Sequence, residues 1–158
     1  MASDRADSFG ERGGWWVVAQ GAVFACALVL GLVGPRWPSE VAFAVVGVIV
    51  AAGGLALIGG GMGALGPALT PFPKPKADTS VRDSGMYRHV RHPIYGGLSV
   101  VAVGWGLFAR PLGLVGAAAL GLFFELKSRR EEHWLIAHDA AYESYMARVR
   151  WRFVPWIR

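Results

Sequence analysis

Thirteen residues, Gly85-Met86-Tyr87-Arg88-His89-Val90-Arg91-His92-Pro93-Ile94-Tyr95-Gly96-Gly97, carry two Tyr, two Arg and two His on the approach to an apolar stretch. Proline is favoured at the first position of a helix and biases the residue before it away from helix, so His92-Pro93 reads as a helix start. Arg91 and His92 then stand at the mouth of that helix. Free N–H groups and the positive helix end suit an anionic group there. Gly96 and Gly97 leave the first turn without side-chain bulk, so a ligand carboxylate has room to approach. A second charged cluster, Glu125-Leu126-Lys127-Ser128-Arg129-Arg130-Glu131-Glu132, follows the next apolar stretch. Two carboxylates, Glu131 and Glu132, in a basic tail beside a membrane are disfavoured near anionic lipid unless they meet cations or hydroxyls. Ionisable residues near membrane depth mark function by default. The two clusters flank one short apolar hairpin, and the spacing predicts that they meet.

These clusters need elements to hold them, and the composition says of what kind. The chain has 158 residues, of which 54% are hydrophobic and 17% charged, and its mean hydropathy is +0.39. That is one domain's worth of chain and too apolar for an ordinary soluble one. The runs Trp15 to Val33 and Val41 to Leu69 contain no charged residue, and each reaches the roughly 20 residues that cross a hydrocarbon core. Ile94 to Ala109 and Leu112 to Phe124 are shorter, and alone either would be ambiguous between a span and a buried helix. The flanking charges decide for spans. Of the 16 Lys and Arg, only Arg36 and Arg110 fall in the loops that alternate with the basic segments. Four spans with both termini in the cytoplasm put 14 cations inside and 2 outside, as the positive-inside bias requires. The net charge of +5 is then mainly a topology signal and an attraction to anionic headgroups. Cations at span ends make nucleic acid a poor partner.

The predicted fold is therefore all-α: an integral membrane helical bundle of about four transmembrane helices plus a C-terminal interfacial helix. Residues 1–14 form a cytoplasmic tail without the positive n-region of a secretory signal, and residues 15–69 a two-helix membrane anchor. The second span carries Gly47, Gly53, Gly54, Gly59, Gly60, Gly61, Gly63 and Gly66, small residues that allow close helix approach. Pro67, Pro71, Pro73 and Pro75 predict a stiff extended linker, and Asp83-Ser84-Gly85 a turn. The fourth helix runs on past the bilayer, and at helical spacing Glu125, Arg129 and Glu132 share a face while Lys127 pairs with Glu131. Tyr142, Tyr145 and Val149, with Trp151, Phe153 and Trp156, read as an interfacial element with aromatic anchors.

The chemistry that these residues exclude is also informative. His89 and His92, with His133 or His138, lack a ligand spacing that would hold a metal. Cys26 lies mid-span with no partner cysteine. There is no nucleophile-elbow serine and no glycine-rich phosphate loop after a strand.

Taken in order, Gly-x-Tyr at 85–87, Arg-His-Pro-x-Tyr-x-Gly at 91–97, Glu131-Glu132-x-x-Leu135, Tyr142-x-x-Tyr145 and a final Pro155 resemble the isoprenylcysteine carboxyl methyltransferase and phospholipid methyltransferase family of integral membrane enzymes. The resemblance covers about Pro71 to Trp156 and marks residues 70–158 as a methyltransferase-like region of cofactor loop, helical hairpin and amphipathic tail. It implies a cytoplasmic-facing pocket for S-adenosylmethionine. Thr79, Ser80, Val81, Arg82, Tyr87, His92, Pro93, Ile94, Tyr95 and Glu131 would contact that cofactor. Arg91, Gly97 and Glu132 join them on the residue reading above. Lys127, where the isoprenylcysteine enzymes carry Arg, would face the substrate and with Glu131 form the reacting side. A Lys holds a carboxylate as a point charge without the bidentate fork of Arg. His138-Asp139 stands where the family has Phe-Gly.

Methyl transfer from a sulfonium asks the protein mainly to position donor and acceptor and to exclude water. The acceptor, a lipophilic small molecule or lipidated substrate, would enter from the bilayer. Two other readings stand beside this one. Arg-His-Pro-x-Tyr also occurs in membrane sterol reductases, which use NADPH. A non-catalytic membrane adaptor with a basic lipid-binding tail would use Arg148 and Arg150 and have no need of His92 or Glu131. Which acceptor is methylated and the oligomeric state are not legible.

Overall fold

The computed structural model describes residues 8–74 and 81–154. Within them the chain forms five α-helices: α1 Gly14–Leu30, α2 Glu40–Leu65, α3 Pro93–Phe108, α4 Leu112–His138 and α5 Ala141–Arg148. Short 3-10 turns follow α2 at Gly66–Ala68 and precede α3 at Gly85–Arg88. No strand occurs among the described residues. An isolated parallel bridge joins Val90 to Trp151. The helices lie in a row: α3 packs between α2 and α4, and α1 packs on α4.

Glycine spacing explains the tightest of these contacts. Gly47, Gly54 and Gly61 recur every seven residues on α2, and all three are buried. Opposite them on α3 stand Gly97 and Gly104. A methyl group on Gly54 would come within 2.7 Å of the Gly97 carbonyl oxygen, and one on Gly47 within 2.6 Å of that of Gly104. The two backbones touch without intervening side chains, as glycine at a helix crossing permits. The other glycines of the predicted small-residue face behave differently. Gly53, Gly59 and Gly63 look out into open space, so the packing stripe is narrower than the composition implied.

The four apolar runs fold as helices of uneven length. α2 with its following turn, 29 residues from Glu40 to Ala68, is long and apolar enough to cross a membrane. α1 and α3 are apolar but only 17 and 16 residues long. In α4 the apolar half, 112–124, runs without a break into the charged half. Many large apolar side chains face outward from this row, among them Val41, Ile49, Leu55, Val115 and Leu122. The loops at one end are tied together: Trp37 donates to the Gly106 carbonyl at 3.1 Å, and Arg110 donates to that of Gly34.

At the opposite end the chain makes a more elaborate structure. Gly85 (φ +58°) turns the chain as Asp83-Ser84-Gly85 predicted, and His92 stands just before α3 with Pro93 at the helix's first position. α5 and the residue after it present Tyr142, Tyr145 and Val149 to a small core with Val81, Leu135, Ile136 and Met146. The tail's two tyrosines are thus buried in protein, where an interfacial anchoring role was expected. The predicted anchor Trp156 lies outside the described residues.

Candidate functional site

A cavity of about 350 Å³ opens at this elaborate end. Its volume falls within the range of small-molecule sites. The 3-10 turn brings Tyr87; the start of α3 brings Arg91, His92, Ile94 and Tyr95; α4 brings Lys127 and Glu131. Tyr87 and Glu131, far apart in the chain, therefore line one chamber. Val81 and Arg82 also line it. Thr79 and Ser80 lie outside the described residues.

Two adjacent carboxylates have different surroundings. Glu131 is half-buried and faces the cavity, where it accepts a hydrogen bond from Tyr95 Oη at 2.7 Å. Glu132 points behind the wall and is not among the lining residues. Its Oε1 lies 2.8 Å from Arg91 Nε and 3.2 Å from His92 Nε2, and its Oε2 2.9 Å from Arg152 Nη2. Burial by itself would raise the Glu132 carboxyl. The hydrogen bond and charge of His92, followed by those of Arg91, outweigh it and hold the group down at about 2. Arg152 also reaches Glu125, so one guanidinium links two acids on α4. The expected face of Glu125, Arg129 and Glu132 is split accordingly: Arg129 bonds Glu125 at 2.8 Å, while Glu132 turns inward.

The same wall is closed by backbone. Arg91 N–H donates to the Trp151 carbonyl at 3.0 Å and His92 N–H to that of Arg152 at 2.8 Å. Arg91 Nη1 donates to the carbonyls of Val149 and Arg150 at 2.8 and 3.1 Å. The groups expected to receive a ligand anion at the helix mouth thus hold the returning chain instead. Gly96 and Gly97 are also reassigned. A methyl group on Gly96 would collide with the Phe153 backbone, and one on Gly97 with Gly54 of α2. Pro93 is buried and packs near Gly61. Pro93, Gly97 and Glu132 therefore build the site from behind and do not open onto it.

Lys127 is another charged group in the cavity wall, only 1% exposed. Its Nζ donates to Gln20 Oε1 of α1 at 2.6 Å and to the Pro71 carbonyl at 3.0 Å, so the expected pairing with Glu131 is not a direct one. Burial lowers the ammonium to about 8, partly offset by the Glu131 charge. Nζ also stands 5.3 Å from the centre of the Tyr95 ring. That ring stacks between His92 and Phe124, with centroids at 5.4 and 4.9 Å.

Burial and then neighbouring Glu131 raise the Tyr87 phenol. Burial is also the main cause at Tyr142, with the Glu132 and Glu131 charges adding to it, so both hydroxyls stay protonated donors. Tyr145 Oη donates to the Tyr87 carbonyl at 2.8 Å, fixing the turn that carries Tyr87.

Sequence reasoning missed Gln20, Tyr142, Tyr145 and Leu135 as lining residues, and Arg152 as a support. Gln20 had a signal, being the one amide in an otherwise apolar run. Arg152 had none, because its role depends on a chain reversal that local pattern does not record. His89, His133 and His138 are exposed, whereas His92 is buried against Glu132.

No protein-family model matches this chain, and no curated protein matches it either.

Proposed function

We propose that the protein is an integral membrane methyltransferase, in which the cavity takes S-adenosylmethionine together with part of a lipophilic acceptor. The observation that carries this reading is the meeting of Tyr87, His92, Tyr95 and Glu131 in one chamber beside an outward apolar surface. The residues fit such a donor. Tyr faces attract a cationic sulfonium, and Glu131 can accept from hydroxyl or amino groups. Arg82 and Lys127 offer positive charge for a carboxylate, and Leu65, Leu69 and Leu98 offer apolar walls. When bound, the donor supplies an already activated methyl group.

The chain's own part is placement and exclusion of water. Glu131 and Tyr95 form one polar wall, and the 71–73 strap covers another. Lys127, held by Gln20 and Pro71, offers its charge to an anionic acceptor. We read α1, α2, α3 and the apolar half of α4 as four crossings, with the cavity end and both termini cytosolic. The outward apolar side chains support this, because such a surface is unsuited to water. The acceptor then enters sideways from the acyl chains.

Ligand-dependent melting of the full chain in detergent tests this. S-adenosylhomocysteine should raise the melting temperature, since a ligand that binds only the folded state stabilises it by mass action. A rise with NADPH alone would favour a reductase. Glu131→Gln should weaken S-adenosylhomocysteine binding roughly tenfold or more, the scale of a hydrogen bond to a charged group, while the unliganded melt stays near that of the parent.

A further inference from the structure

A second cleft, about 210 Å³, opens on the other side of the wall that holds Arg91. Arg88 and His89 line it from the 3-10 turn, and Arg148, Val149, Arg150 and Trp151 line it from the end of α5. Three guanidinium groups and one imidazole thus gather at a small concavity. Among the described residues the acid that touches any of them is Asp83, 3.5 Å from Arg148, with both side chains more than half exposed. The side chains of Arg88, His89 and Arg150 have no hydrogen-bond or ion-pair partner among the described residues. Cations that line one concavity with a single exposed acid among them raise its positive potential, and an anion relieves it.

The cleft's position indicates which anion. The turn lies on α2, with Met86 against Gly60 and Gly85 against Ala64, in the last turns of the longest apolar helix. Leu55 and Met62 are exposed along that part of α2, and Leu69 just after the turn that follows it. Arg88 follows Met86 by two residues, so the cations stand where the apolar surface ends. Trp151, half-buried at the rim, has the apolar body and polar tip suited to a headgroup layer.

We propose that this cleft binds the phosphodiester of an anionic phospholipid from the leaflet at the cavity end. Guanidinium forks match phosphate oxygens two at a time. A zwitterionic headgroup brings its own ammonium to the same cations and is disfavoured. Occupancy would also act on the cavity, because the Val149 and Arg150 carbonyls that hold Arg91 belong to the same short stretch of backbone. The inference rests on the membrane-embedded reading above and is independent of the methyl donor.

The test is melting of the full chain in neutral detergent with added phosphatidylglycerol, phosphatidylcholine or inorganic phosphate. Phosphatidylglycerol at about a hundredfold excess over its Kd should raise the melting temperature by roughly 5 °C or more. Phosphatidylcholine and phosphate should not. Arg88→Gln with Arg150→Gln should remove the increment and leave the S-adenosylhomocysteine shift intact, whereas Arg88→Lys with Arg150→Lys should keep part of it. A full phosphatidylglycerol response in the Gln variant, or an equal one from inorganic phosphate, overturns the proposal. Should the Gln variant not fold, equal shifts of the parent protein with the two lipids overturn it alone. Loss of the S-adenosylhomocysteine shift with the lipid response intact strikes only the methyl-donor reading.

Discussion

Glu131 and Glu132 differ by one position and by nearly everything else. Glu132 sits among Arg91, His92 and Arg152 almost without exposure. Removing one partner of a buried ionic cluster leaves the others uncompensated, at roughly 3–5 kcal/mol. Glu132→Gln should therefore lower the melting temperature by about 10 °C, far more than Glu131→Gln, when both are followed by thermal denaturation. Acid should act through the same group. Its folded carboxyl is held at about 2 against an ordinary 4.5, so its contribution is complete above pH 4.5 and is lost as pH falls towards 2. It amounts to up to about 3 kcal/mol. Stability measured between pH 5 and pH 3 should fall in the parent protein and fall less in Glu132→Gln. The pair was legible in the sequence as chemically charged, but its division of labour was not. Which of two neighbours faces a cavity depends on the rotation of α4 against α3, and that is fixed by packing far from position 131.

Among elements, the α2 and α3 contact was half legible. The glycine content announced close packing, yet the register, 47, 54 and 61 against 97 and 104, comes from two helices meeting and from neither alone. Gly54→Ala should put a methyl against the Gly97 carbonyl and cost about 1–3 kcal/mol as overpacking does. Gly53→Ala, one residue away in open space, should gain the few tenths to about 1 kcal/mol by which Ala exceeds Gly in a helix. Chemical denaturation of the two variants side by side measures the contrast. The His92-Pro93 helix start was readable because its signal is local. α5 was readable as amphipathic, but a period cannot say whether its apolar face meets lipid or protein. Tyr142 and Tyr145 meet protein, in the cluster with Leu135 and Ile136.

At the scale of the molecule, one row of helices separates a loop end from a cavity end. Single cysteines at Arg36 or Arg110, in a Cys26→Ser background, should react with an impermeant maleimide added outside intact cells. A cysteine at Glu143 should react only after the cells are opened. The reverse pattern would place the cavity on the other side of the membrane. One consequence of the bridge between Val90 and Trp151 concerns truncation. The N–H groups of Arg91 and His92 find their acceptors only in residues 151 and 152, some sixty positions later in synthesis. A chain that lacked residues 149–152 would keep its five helices yet lose the carbonyls that hold Arg91 and His92 at the back of the cavity. On the proposed reading, a chain cut back to residue 148 should therefore bind S-adenosylhomocysteine poorly although every described lining residue is still present.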